Sequence, residues 1–267
     1  MNKGYRNAIL TAVILAVIGV VFVIGGILLG GVSQLKGADL LHRLGITRYD
    51  YVDKKITSTS TSTTAADAAY NADDIENLEI NLGESEAKIV KGTGNKILIE
   101  ADNTVIESRV DGDTLKISND DDEYLNNANI IITIPKGKHF SEVNIKLGAV
   151  ESTIEELNCD ELDLKLGAGE LEISEGNIKD ADMEVGAGEL RYIGSISGDL
   201  DAKCGLGNMS FKLDGDEKDH NYNLKVGLGH MLVGNDSING AGSRNVDNDT
   251  DSDFKIECGA GNVEVLF

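Results

Sequence analysis

Glycine recurs in this chain as a doublet enclosing one residue: Gly167/Gly169, Gly186/Gly188, Gly205/Gly207, Gly227/Gly229 and Gly259/Gly261, with a degenerate copy at Gly148. The first glycines are 19, 19, 19, 22 and 32 residues apart. A period of this length belongs to small units stacked on one another, not to a chain wrapped around one globular centre. Counting from the first glycine as zero, positions −5, −3 and −1 stay apolar from copy to copy, as in Leu162, Leu164 and Leu166 or Ala181, Met183 and Val185. Position +1 is apolar as well (Ala149, Ala168, Ala187, Leu206, Leu228 and Ala260), which places it on the same strand face. Beyond the second glycine the apolar residues move to +4 and +6, as in Leu171 and Ile173. A strand changes parity only through a bend or bulge, and glycine permits one. Each GxG is therefore read as a corner.

The pattern predicts an all-β body built as a parallel β-solenoid-like stack of repeats about 19 residues long. An antiparallel β-sandwich is the alternative; constancy of residue type down each column favours the stack. The segment from Leu78 to Gly83, with Ala87 and Ile89, fits the template without the second glycine. Ile97–Glu100, Leu115–Ser118 and Ile130–Ile134 read as further strands, the last stopped by Pro135. The β-repeat domain is thus expected over residues 75–267.

Two segments precede it. Residues 8–32 hold 25 consecutive uncharged residues rich in Ile, Val and Leu, long enough to span a bilayer. That is longer than the apolar core of a signal peptide, and no lipobox cysteine follows, so a retained membrane helix is expected. Gly26 and Gly30 form a GxxxG that would serve as a self-association face. Lys3 and Arg6 before the helix nearly balance Lys36, Arg43 and Arg48 after it. The short basic tail favours a cytoplasmic N-terminus and an extracytoplasmic body. Residues 33–74 read as a juxtamembrane segment and linker, including the low-complexity TSTSTSTT at 57–64.

The chain resembles the Toastrack, or putative-adhesin, family of bacterial domains of unknown function. The resemblance rests on the opening strand pair of residues 75–89, the strand end Ile130–Pro135 and the series of LGAGELEI-like copies, and covers about residues 75–267. It implies an all-β domain, often tethered by an N-terminal membrane helix and in some cases accompanying envelope-stress systems of the phage-shock and Lia types. The family brings no catalytic residues to carry over. The TSTSTSTT spacer and the 32-residue last spacing are not hallmarks of it.

Chemistry is sparse. After residue 32 the chain has 22 basic against 46 acidic residues, a balance that repels phosphate backbones and argues against nucleic acid as a partner. A phosphate-binding glycine loop needs a helix after it, whereas a strand follows each GxG here. His42, His139, His220 and His230 show no paired-ligand spacing, and there is no GxSxG nucleophile elbow. The outward columns Glu151/Glu170/Glu189 and Asp163/Asp182/Asp201 keep open a surface-glycan enzyme on a β-solenoid as the alternative function. Asp247, Asp249, Asp251 and Asp253 alternate as calcium ligands do, although Ser252 stands where the turn glycine of a calcium loop belongs. No other cofactor is expected. Cys204 and Cys258 share position −1; stacked in sequence order they would be two repeats apart and remain free thiols with Cys159. The reading that results is a non-catalytic, membrane-anchored module. It would display a repetitive β surface to an envelope protein or cell-wall component.

Overall fold

The computed structural model describes residues 63–64, 67–83, 85–102, 106–119 and 128–267. The expected membrane helix, its Gly26/Gly30 pair and most of the linker lie outside these residues. Among the described residues no helix is long and apolar enough to cross a membrane.

The body is all-β, as the alternation requires. Its centre is a run of parallel pairings. His139–Ile154 lies beside Leu157–Ile196 with Val143 opposite Leu162, Leu147 opposite Leu166 and Ile154 opposite Ile173, a shift of one repeat. Leu157–Ile196 passes through two repeats and then pairs with Leu200–Cys204 and Asn208–Leu213 in the same register. On the other side, Asn77–Leu82 and Ser85–Gly92 pair in parallel with His139–Ile154, so Leu78 meets Val143 and Ile89 meets Ile154. Each repeat thus contributes two arms joined at its glycine corner.

The two arms enclose the core. Leu164, Met183, Ala202 and Ile256 from the first arm, and Leu171, Leu190, Val263 and Val265 from the second, are all buried. Position +1 corrects the expectation drawn from its composition. Leu206 is 38% and Leu228 57% exposed, and Ala149 is exposed too, so these residues point out of the corner. The reason is geometric: the chain is turning from −1 to +4, and the residues between lie on the convex side.

Antiparallel strands close both ends. Ile106–Asp111 forms a hairpin with Thr114–Asn119 through Gly112, whose φ of 66° suits a tight turn. Lys96–Asp102 runs antiparallel to Ala128–Pro135. Asp67–Asn71, within the stretch read as linker, pairs with Lys96–Asp102, so the sheet begins before residue 75. At the far end Gly242–Val246 and Asp236–Asn239 run antiparallel to Asn221–Val226 and His230–Val233.

The order of the last repeats also departs from expectation. Asp253–Cys258 pairs in parallel with both Leu200–Cys204 and Asn221–Val226. Asn262–Leu266 likewise lies between Asn208–Leu213 and His230–Val233. The chain therefore leaves one slot empty, builds the next repeat, and returns through residues 235–252 to fill the slot. Cys204 and Cys258 become direct neighbours, not residues two repeats apart.

One core position breaks its column. Ser152 stands at +4, where the other repeats carry Leu171, Leu190, Met209, Met231 and Val263. It is 6% exposed, and its hydroxyl has no hydrogen-bond partner. It borders a cavity of about 10 Å³ lined by Ile80, Ile132, Leu147 and Leu171, at the lower limit for one water. Ser152→Val removes a buried unsatisfied hydroxyl and fills space, so it should stabilise the body by about 1 kcal/mol. Thermal unfolding of the two proteins checks this; a lower melting temperature for the valine variant would contradict it.

Candidate functional site

The corner glycines form two continuous columns. In the first, a Cβ on Gly167 would stand 2.8 Å from the carbonyl oxygen of Gly148, one on Gly186 2.6 Å from that of Gly167, and one on Gly205 2.6 Å from that of Gly186. The column continues through Gly259, 2.7 Å from the Gly205 oxygen, and Gly227, 2.5 Å from the Gly259 oxygen. Gly148 begins it above the Gly83 carbonyl. In the second column Gly169, Gly188, Gly207, Gly261 and Gly229 follow one another in the same way, with approaches closer still. Among the corner glycines only Gly169 has a positive φ, 108°. Close backbone approach, not backbone strain, is therefore what requires glycine at the other corners.

Beside the first column runs a shallow groove of about 480 Å³ lined by Gly186, Gly205, Gly227 and Gly259 and flanked by Glu184, Lys203, Lys225 and Glu257. Its charged flank is a ladder of opposite signs. Lys203 and Lys255 both reach Asp201, at 3.1 and 2.9 Å, and Lys225 reaches Glu257 at 2.9 Å. Burial alone would raise the Asp201 carboxyl, but the two ammonium groups outweigh it and hold the group below its ordinary value. Asp163 pairs with Lys165 in the same fashion at 3.2 Å. Two members of the acidic column at −4, Asp163 and Asp201, are thus compensated by lysines, and Asp182 stands opposite Asp201.

The column at +3 differs. Glu151 stands directly opposite Glu170, while Glu189 is held by Arg191 at 3.1 Å. No nucleophile or proton-transferring partner joins these carboxylates in any contact among the described residues, and on the groove flank Lys203, Lys225 and Glu257 are held in ion pairs.

The Asp247–Asp253 loop is organised by other residues than its carboxylates. Asn248 donates to the His220 carbonyl at 2.6 Å, and its own backbone N–H donates to Asn221 Oδ1 at 2.8 Å. Asp247 and Asp253 accept turn and side-chain hydrogen bonds, from the Asp249 backbone N–H at 3.0 Å and from Asn221 at 2.9 Å. Asp247, Asp249, Asp251 and Asp253 themselves are exposed. Among the described residues no three acidic, histidine or cysteine side chains converge on a point that would hold a metal ion. A calcium loop curls alternating carboxylates inward, and in this structure the loop turns these four outward.

The histidines are equally dispersed. His139 contacts Asp160 at 3.1 Å on the surface, and His230 contacts Ser237 at 3.3 Å across a hairpin. His42 lies outside the described residues. His220 is buried, stacked on Phe254 with ring centroids 4.0 Å apart, and its Nδ1 lies 2.7 Å from Ser252 Oγ. This is not a nucleophile and its base. The Ser252 hydroxyl donates to the Gly198 carbonyl, so it must accept from His220, which places the imidazole proton on Nδ1. The pair ties neighbouring repeats together. Sequence reading missed this cluster, because a lone histidine and a lone serine 32 residues apart carry no periodic signal.

A family model described as "Putative auto-transporter adhesin, head GIN domain" matches residues 78–234, more than half of the chain. The chain belongs to this family. No curated protein matches it. Among solved structures, the chain is similar to a putative cell adhesion protein from Clostridium sporogenes ATCC 15579, with 16% identity, 78% of this chain and 99% of that one covered, and a TM-score of 0.41. A putative adhesin from Bacteroides fragilis NCTC 9343 is 15% identical over 75% of this chain and 96% of its own, with a TM-score of 0.35. A putative lipid binding protein from Parabacteroides distasonis ATCC 8503 is 13% identical over 75% and 96%, with a TM-score of 0.33.

Two outcomes follow for this adhesin-family body. Gly186→Ala or Gly205→Ala should each cost about 1–3 kcal/mol, since the added methyl group meets backbone that cannot rotate away, while Ala187→Ser, pointing out of the same corner, should change little. Equal melting temperatures for all three would remove the close-approach argument. The second outcome concerns His220. Burial pulls its imidazole below the ordinary 6.5, with the neighbouring Asp219 carboxylate opposing the shift. The folded state therefore binds fewer protons than the unfolded one, and stability is complete above that value and falls as pH drops through it. Urea midpoints measured from pH 7.5 to 5.5 should decline in the wild type and decline less in His220→Phe, which keeps the stack on Phe254.

Proposed function

We propose that this protein is a non-catalytic, membrane-anchored surface module, held by residues 8–32 and displaying its β body outside the cytoplasmic membrane. The observation that carries the reading is the outer face of the stack: at −4 and −2, Asp163, Asp201 and Glu257 are paired with lysines within or between repeats, and none of the three is assembled with a nucleophile. Membership of a family described in terms of adhesion supports it. The parallel pairings at a shift of one repeat favour a solenoid-like stack over a sandwich as the form in which that face is displayed. The partner is an envelope protein or a cell-wall component, and Gly26 with Gly30 offers a helix face for self-association within the bilayer.

The glycan-enzyme alternative asks for an acid pair beside a basic residue in a deep groove. The groove along the glycine column is shallow, and of its two acids Glu257 is paired with Lys225, while Lys203 is engaged by Asp201 beside it.

The full-length chain should remain with membranes after alkaline carbonate washing, and protease added to intact cells should degrade the body. A soluble chain beginning near Ser33 would remove the anchor. A body protected in intact cells but cut after lysis would reverse the orientation.

A further inference from the structure

The slot-filling return of the last repeat brings together two cysteines that the sequence keeps far apart. Cys204 and Cys258 are register partners on adjacent parallel strands, both on the core face and both buried. Adjacent strands stand about 4.8 Å apart, inside the Cα range of disulfides and a little beyond their usual Cβ separation of about 3.8 Å. A bridge needs the two side chains to close by roughly 1 Å. The residues that follow, Gly205 and Gly259, carry no Cβ to oppose that movement. Cys159 lies on a different column, opposite Phe140, and has neither cysteine as a register partner.

We propose that Cys204 and Cys258 form an oxidisable clasp that locks the last repeat into its slot. The step is thiol–disulfide exchange with a disulfide oxidant. One thiolate attacks the oxidant and forms a mixed disulfide, releasing one reduced thiol. The second cysteine then attacks the protein sulfur and releases the other. Two protons and two electrons leave the pair, one S–S bond is broken in the oxidant, and one is formed between Cys204 and Cys258.

The position of the pair gives the clasp its effect. Asp253–Cys258 is the strand inserted between two others, and its withdrawal would separate Asn221–Val226 and its covering hairpin from the rest of the sheet. A covalent link to Leu200–Cys204 prevents that withdrawal. Burial pushes the Cys204 thiol up to about 11, so the reduced pair is slow to react while the repeat is seated and reacts when it opens. The chemistry is independent of the cellular location proposed above, and so is its test.

The full-length chain, purified in detergent, is incubated with oxidised glutathione in native buffer and in a urea concentration below the unfolding transition. Thiols are then alkylated under denaturing conditions and the disulfides mapped by mass spectrometry without reduction. The expected product joins Cys204 to Cys258 and leaves Cys159 alkylated. It forms faster in the urea arm, and it raises the urea midpoint of the wild type but not of Cys258→Ser. Cys159→Ser should still form it. Three alkylated thiols in both arms, glutathione retained separately on Cys204 and Cys258, or links scrambled equally with Cys159 would each overturn the proposal.

Discussion

The structure depends on backbone meeting backbone at the corners. The Cα of each first glycine lies over the carbonyl of the repeat beneath, and the corner amides continue the ladder through the bend. Gly205 donates to the Val185 carbonyl at 2.8 Å, Leu206 to Gly186 at 2.8 Å, and Ala260 to Gly205 at 2.8 Å. A corner that breaks the ladder would leave amides unpaired, at about 1–3 kcal/mol each if buried. Without side chains at these positions the repeats approach closely enough for the first two amides of the corner to stay paired. The apolar parity can then switch from odd to even positions with those amides still paired.

That single contact fixes what the molecule can present. Because the arms face each other across the core, positions −4 and −2 are directed outward in every repeat, and the corner residues are pushed to the convex side. The surface is therefore written in columns. A column of like charges is costly at strand spacing, and in the last repeats the charges alternate: Asp201 beside Lys255, and Glu257 beside Lys225. These pairs are exposed or half-buried, so each contributes little to stability. What they set is the character of the face, which is polar, repetitive and locally neutral. Such a face suits contact spread over many repeats more than chemistry at one point.

Much of this was legible in the residues themselves. The strand arms, the parity switch and the one-repeat register follow from periodic apolar positions, because burial acts on every copy alike. The direction of Leu206 and Leu228 was not legible, since an apolar residue two positions from a buried one looks like a core residue unless the bend is known. Nor was the His220–Ser252–Gly198 bridge, which joins single residues in unlike repeats. The Asp247–Asp253 run is a related case. Alternation specifies which residues share a face, but whether that face curls around a cation depends on Asn248 and Ser252 anchoring the loop from within. The antiparallel strands at the two ends lack the repeat, and single glycines such as Gly112 and Gly234 mark their turns.

The order of the repeats is the subtler case, because columns of similar apolar residues allow any repeat to rest on any other. Two features outside the core choose between orders. In sequence order Lys203 would stand beside Lys225, whereas the observed order puts Glu257 between them and Lys255 against Asp201. Like neighbours are tolerated elsewhere, as Lys146 opposite Lys165 shows, so charge alone is a modest preference. Chain length supplies the rest. The spacing from Gly205 to Gly227 is 22 residues instead of 19, and the next is 32. Three further residues reach about 10 Å when extended, enough for the extra strand spacing of about 4.8 Å that skipping a slot requires. The longer segment that follows provides the hairpin and the loop for the return. Read as climb and return, the two irregular spacings specify the inserted repeat; read as insertions into a regular series, they specify nothing. The irregularities of a repeat are thus where its topology is written.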